Sequence, residues 1–420
     1  MTRRDRQGLA RRNEQGSAAL VVTLILFFVM TLIAAFANRN LVFEHRASVN
    51  QYRSTQAFEA AEAGLEWATA MLNNPHPVND ACVAGSDATL SFRDRFIVAD
   101  PATGAIRPAT MSSGVPTMPK AVCVKSADAW RCSCQGGVAP AASSAAPEPA
   151  FTVQFAPEPQ PGALKVLATG CTTLAGACLP GSARRADATA HVQVTLGWVP
   201  ALASIPAAAL TAKDALNAGA SALGVHNTDA DSGGVTVHAG RTVTAVNARL
   251  TTVPGGLAEA SVVDNDASLQ ALDAPQLFVS CFGIGRALWR QQPGVKVLRC
   301  EGDCTSAVLS SIDAGHRMLW LDGEAQVSGA VAIGHRQRPV AIVASTSLRL
   351  VGPVDVHGLV YAGSLAWTGA AGGKLHGAAI SESGFTAEAA ADLIHDTPVL
   401  TSLKTGAGSF ARVPGSWKDF

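Results

Sequence analysis

Between Ser17 and Asn38 the chain runs 22 residues without a charge, SAALVVTLILFFVMTLIAAFAN. A spanning helix needs roughly 20 apolar residues. A helix that is apolar all round must be buried, in hydrocarbon or among other apolar helices. Arg3, Arg4, Arg6, Arg11 and Arg12 precede the stretch. A cleaved secretory signal has an apolar core of about 7–15 residues followed by a small-residue exit. Here the run is longer, and helix-forming residues continue past it without a break. By the positive-inside rule the arginines hold the N-terminus in the cytoplasm, and the body from Arg39 onward is exported. In a Gram-negative-type cell that body lies in the periplasm.

Beyond the span the helical pattern persists. Phe58, Ala61, Leu65, Ala68 and Leu72 step by three and four and give one apolar stripe, with Glu59, Glu62 and Glu66 on another face. Asn73, Asn74 and Pro75 stop it, because proline cannot continue the hydrogen-bond ladder. A continuous helix from Ser17 to Asn74 would be about 87 Å long at about 1.5 Å per residue. On these residues alone, a single-pass anchor whose juxtamembrane helix packs on its own domain fits as well as any other reading.

Several features taken together resemble the type IV pilins: a leader ending in Gly16, the small Ser17, the apolar span, and the run Ala57, Phe58, Glu59, Ala60, Ala61, Glu62, Ala63, Gly64 and Leu65. The match is closest to the PilX-type minor pilin or pilus-assembly family, of which AFEAAEAGL is the most specific element. The resemblance implies cleavage by a prepilin peptidase between Gly16 and Ser17. It implies a span that later leaves the bilayer for the helical core of a filament, since hydrocarbon and a bundle of apolar helices are similar surroundings. It also implies other minor pilins, the major pilin and the inner-membrane pilus assembly machinery as partners. Major pilins carry a glutamate five residues after the cut; that position here is Val21. A carboxylate in an apolar core is costly without a positive partner such as a neighbour's new α-amino group. Some tip-located minor subunits of related secretion systems, notably the large K-type pseudopilin, also lack it. The expectation is a subunit at or near a filament tip.

The remainder predicts an α+β chain: the long helix, a small antiparallel pilin-like sheet, then a mainly-β region with a few inserted helices. Phe92 to Val98 predicts a strand. Phe151–Phe155, Ala163–Ala168 and Ala188–Gly197 alternate as half-buried strands of an antiparallel meander. Nine cysteines in an exported body predict disulfides and one odd thiol. Cys171 and Cys178 flank a loop and should staple it, and Cys300 and Cys304 should close a second. Cys132 and Cys134 are too close to pair with each other, so each takes a distant partner, with Cys82 a candidate. From Pro200 the texture changes to short β-rich runs with glycine corners. Val340–Gly358 and Leu359–Gly377 repeat over 19 residues each, ending in Val-His-Gly and Leu-His-Gly, with a relative at Ala325–Gly334. Such a repeat predicts stacked rungs of a β-solenoid, with an irregular β-sandwich as the competing reading. Helices are expected at Ala274–Gln292, Thr305–Ala314 and around Thr386–His395. The expected units are a leader (1–16), span and stalk (17–74), a pilin-like domain (75–200), a β-rich domain (201–385) and a C-terminal helix with tail (386–420).

Thirty-two basic and thirty-two acidic residues leave no net charge, which argues against a nucleic-acid partner. No G-x-S-x-G elbow, phosphate-binding loop or H-E-x-x-H metal motif occurs, so no catalytic, cofactor or metal residues are expected. His357 and His376 recur at the repeat spacing and predict a stacked structural pair. Asn227, Asp229 and Asp231 have the spacing of a calcium loop but no glutamate at its twelfth position, so a turn is expected. Three functions follow in descending order. The first is a minor pilin that primes or caps a filament, the second a tip adhesin acting through the β-rich half. The third is a membrane-tethered polysaccharide-active enzyme, which would need carboxylates clustered on one face. The expected location is the inner membrane as a single pass, then the pilus at the cell surface.

Overall fold

The structure, a computed structural model, describes residues 10–85, 90–100, 104–109, 120–134, 138, 140–141, 148–174, 176–179, 188–244 and 248–420. Arg3, Arg4 and Arg6 of the leader lie outside the described residues, as do Arg184 and Arg185. The stalk is one helix of 64 residues, Ala10–Asn73. Alanine and glutamate are the commonest residues of its second half, and both are strong helix formers.

An antiparallel sheet packs against that second half. Its strands lie in the order Ala129–Ser133, Lys120–Ser126, Ala150–Pro157, Ala163–Cys171, Thr189–Pro200 and Gly408–Arg412. Each neighbour runs antiparallel to the last. Alternate residues Leu164, Val166 and Ala168, with Val192, Val194 and Leu196 beside them, are buried in one core with Ala61, Leu65, Ala68 and Leu72 of the helix. Phe92, Phe96, Phe151 and Phe155 are buried in the same core.

The strands of the β-rich region, by contrast, all pair parallel, in a sheet of 17 described strands. Val340–Val351 pairs with Asp355–Thr368, that strand with Gly373–Ser381, and that one with Ala391–His395. Ala391–His395 then pairs with Gly224–His226, and Gly224–His226 with Arg249–Thr251. At the other end Val340–Val351 pairs with Met318–Asp322, and Met318–Asp322 with Val295–Arg299. The last turn of strands therefore closes on the first, and both chain ends return to the antiparallel sheet. Pro200, where the chain leaves that sheet, is opposite Gly408, where it comes back. The backbone N–H of Ala201 donates to the carbonyl of Ala407 at 2.8 Å.

Several local expectations are corrected. Phe92–Phe96 is a short helix capped by Ser91, and only Ile97–Ala99 is strand. Phe92 and Phe96 are four apart and their rings stack at 4.4 Å, whereas a strand would hold them about 13 Å apart. The helix expected over Ala274–Gln292 breaks into Ala274–Phe282 and Arg286–Arg290, because Gly283 takes a left-handed φ of 73° and caps the first piece. The helix expected around Thr386–His395 is instead the strands Phe385–Ala387 and Ala391–His395, and the helix follows at Thr397–Gly406. The irregular tail expected after it holds the strands Gly408–Arg412 and Lys418–Asp419, both paired to Thr189–Pro200. Spacing within the repeat also varies. Val340 lies opposite Gly358 and Ser347 opposite Ser364, whereas His357 lies opposite His376.

Candidate functional site

From Ala18 to Ser48 every side chain of the stalk is exposed. Among the apolar ones, Phe27 is exposed by 75% and Met30 by 70%, and no part of the most apolar window is buried. Val21 is 54% exposed on the same segment. The Gly16–Ser17 bond falls within the helix.

At Ala57 the surroundings change. Ala57, Ala60, Ala61, Gly64 and Leu65 are buried, Phe58 and Ala63 are half-buried, and Glu59 and Glu62 face solvent. Small residues are required here because the helix lies almost on the backbone of the strand Ala163–Cys171. A methyl group at Gly170 would come within 2.0 Å of the Ala57 carbonyl oxygen and 2.3 Å of the Ala61 nitrogen. Gly64 meets the ring of Phe151 and Ala168 from the helix side, its own added methyl falling 3.0 Å from Phe151. Phe58 packs edge-on to Trp417 at 6.3 Å, and Glu66 pairs with Arg412 at 2.7 Å. The alanine-rich run is thus a seat, fixed on its inner face by a glycine in the sheet.

The lower end of the helix is fastened to the far end of the chain. The Asn73 side-chain amide donates to the Phe410 carbonyl at 3.0 Å and accepts from the Phe410 N–H at 2.8 Å, as a strand neighbour would. Around that contact two arginines grip the C-terminal end of the helix Thr397–Gly406. Arg93 donates to the carbonyls of Gly406 and Gly408, and Arg317 to those of Gly406 and Ser402. Cations are favoured at a helix C-terminus. Burial nevertheless pulls the basicity of both guanidiniums down. Nearby, the rings of His76 and His316 meet at 6.0 Å. Burial, then Lys296 and His76, depress the His316 pKa to about 4.

The other residues singled out in the sequence lie apart from this seat. Cys171–Cys178 and Cys300–Cys304 are disulfides, with S–S distances of 2.06 Å and 1.99 Å. Cys82 pairs with Cys134 and Cys123 with Cys132, leaving Cys281 as a buried thiol. Asn227 is buried and bonds Ala207, Ser232 and Val235, so it organises a turn. His357 and His376 stack at 4.6 Å with 12° between their planes. Sequence reasoning missed Gly170, Asn73, Arg93 and Arg317. Gly170, the glycine of LATGC, carried a usable signal as a strand glycine awaiting a close backbone approach. The two arginines carried none, because the carbonyls they hold at the end of the helix Thr397–Gly406 are more than 80 residues away.

Residues 15–66 match the family model described as PilX N-terminal. No curated protein matches the chain. Among solved structures, the chain is similar to the competence-associated pilin ComZ from Thermus thermophilus, at 13% identity over 88% of this chain and 97% of that one. The TM-score of that pairing is 0.20, too low to bear on the fold.

Proposed function

We propose that the chain, whose residues 15–66 match the PilX N-terminal family model, is a minor pilin-like subunit of type IV pilus assembly, seated at or near the filament tip. The observation that carries the proposal is the division of one helix into two environments. The span from Ala18 is left uncovered by its own domain, while the small-residue run from Ala57 is clamped onto the sheet. A rigid rod with an uncovered apolar end suits a helical filament core, where the span would pack against the same segment of other subunits. Such a helix is consistent with a single-pass inner-membrane protein before assembly.

In this reading prepilin peptidase cuts between Gly16 and Ser17, and other minor pilins, the major pilin and the inner-membrane machinery are the partners. Val21 supports the tip position. A subunit without the acid cannot neutralise the α-amino group of a neighbour, so it serves better as the end of a stack than as its repeating unit. The parallel ladder of residues 210–395 we read as a β-solenoid, inserted between two adjacent strands of a pilin-like domain. Because Pro200 and Gly408 are already neighbours, the sheet does not need the insert for its own closure. That favours, as a second reading, an adhesive role for the insert. Gold-labelled antibody to the insert tests the position. Sparse label at filament ends is expected, and uniform decoration of the shaft at major-pilin abundance would contradict it.

A further inference from the structure

We propose that Asp355, His357 and His376 form a binding site for one divalent transition-metal ion, with zinc as the natural probe. The strands Asp355–Thr368 and Gly373–Ser381 pair parallel with His357 directly opposite His376. Residues two apart on a strand share a face, so Asp355 stands on the same side as His357. One donor atom from each of the three lies within 4.8 Å of the other two.

The local chemistry is incomplete without a further group. The Asp355 Oδ1 and the His357 Nδ1 are 3.8 Å apart, too far for a hydrogen bond. Both atoms are shielded from solvent and neither has a hydrogen-bond partner. A carboxylate oxygen and a ring nitrogen facing each other across that gap are two lone-pair donors when the imidazole carries its proton on Nε2, and a cation between them satisfies both. Lys374, opposite Asp355 on the neighbouring strand, is the competing cation.

The backbone holds these side chains in fixed register. Gly358 and Gly377 follow the two histidines with φ of 144° and 143°. A methyl on either would lie 1.8 Å from the carbonyl oxygen of the strand below, Val340 or Gly358. No other residue allows the turns to stack so closely, so the imidazoles stay paired. Two imidazoles and a carboxylate select zinc, cobalt or nickel over calcium or magnesium, and leave a fourth position for water. Four-coordinate metal bonds of about 2.0–2.1 Å place donors about 3.4 Å apart, so side-chain rotations must draw them in by up to about 1.4 Å and turn the two stacked rings toward one ion.

The test is calorimetric titration of zinc chloride into the full-length chain in detergent after chelator treatment, at neutral pH. The expected result is one saturable site per chain, at least tenfold weaker in both His357→Ala and His376→Ala. The unfolding midpoint should rise with zinc in the unsubstituted chain only. His238→Ala, which removes the His238–Asp266 contact of 2.7 Å elsewhere in the insert, should leave the affinity unchanged. Because alanine could loosen the stacked turns, His376→Gln is included and its metal-free unfolding midpoint compared with that of the parent. A glutamine variant that folds like the parent and loses zinc supports the site. Absence of saturable binding, or binding that survives both histidine substitutions, overturns it.

Discussion

Gly170 is the residue on which the seat of the stalk depends. Its missing side chain lets the helix approach until backbone meets backbone, and no rotamer change can relieve a methyl placed 2.0 Å from the Ala57 carbonyl. Overpacking of this kind costs about 1–3 kcal/mol or more. Gly170→Ala should therefore lower the unfolding midpoint of the chain measurably in urea. Gly64→Ala should cost less, because the atom it meets belongs to the Phe151 ring, which can shift by tenths of an ångström. Equal stability of Gly170→Ala and the parent would mean that the helix does not rest on that strand. The small residues of the run Ala57–Leu65 are thus explained by contact distance. Its glutamates are explained by facing water.

At the scale of elements, the junction between stalk and insert has a built-in pH dependence. His316 is held neutral by burial, with its pKa depressed to about 4 from an ordinary 6.5, and Lys296 and His76 reinforce the shift. Between those values the unfolded chain binds the proton more readily than the folded one, so stability is full above about 6.5 and is lost as the pH falls through about 4. Urea midpoints measured from pH 7 to pH 4 should fall, and His316→Gln should flatten that fall. Superimposable profiles would contradict the assignment. Which elements could be read in advance follows from the same local physics. The stalk and the strands Ala150–Pro157, Ala163–Cys171 and Thr189–Pro200 show long, regular periodicities, and all were legible. The segment Thr386–His395 is built of Ala, Glu and Leu and favours helix locally. Pairing to Gly373–Gly377 on one side and Gly224–His226 on the other overrides that preference. The strand Gly408–Arg412 has one large apolar residue, Phe410, and a partner some two hundred residues earlier, so no local pattern announces it. Of the candidate site, the Ala57–Leu65 face was visible as spacing, whereas its counterpart Gly170 and the Asn73–Phe410 clasp exist only in three dimensions.

For the whole molecule, the insert leaves and re-enters the antiparallel sheet at the adjacent positions Pro200 and Gly408, so excising it spares the strand pairing of that sheet while removing the Arg317 and His316 contacts at the junction. Excising residues 202–406 and joining Ala201 to Ala407 through an Asn-Gly turn keeps the strand Gly408–Arg412 and its clasp on the stalk. If the insert takes part in priming, cells carrying this variant should lack pili. If pili form normally and only attachment fails, the adhesive reading replaces it. Both readings rest on the claim that the N-terminal helix is a processed pilin segment and not a permanent anchor. The mass of the N-terminal peptide, determined on protein from cells with and without the prepilin peptidase, tests that claim most directly. A processed pilin segment gives a chain beginning at Ser17 when the peptidase is present and retaining residues 1–16 when it is absent. A chain with the same N-terminus in both strains would contradict it.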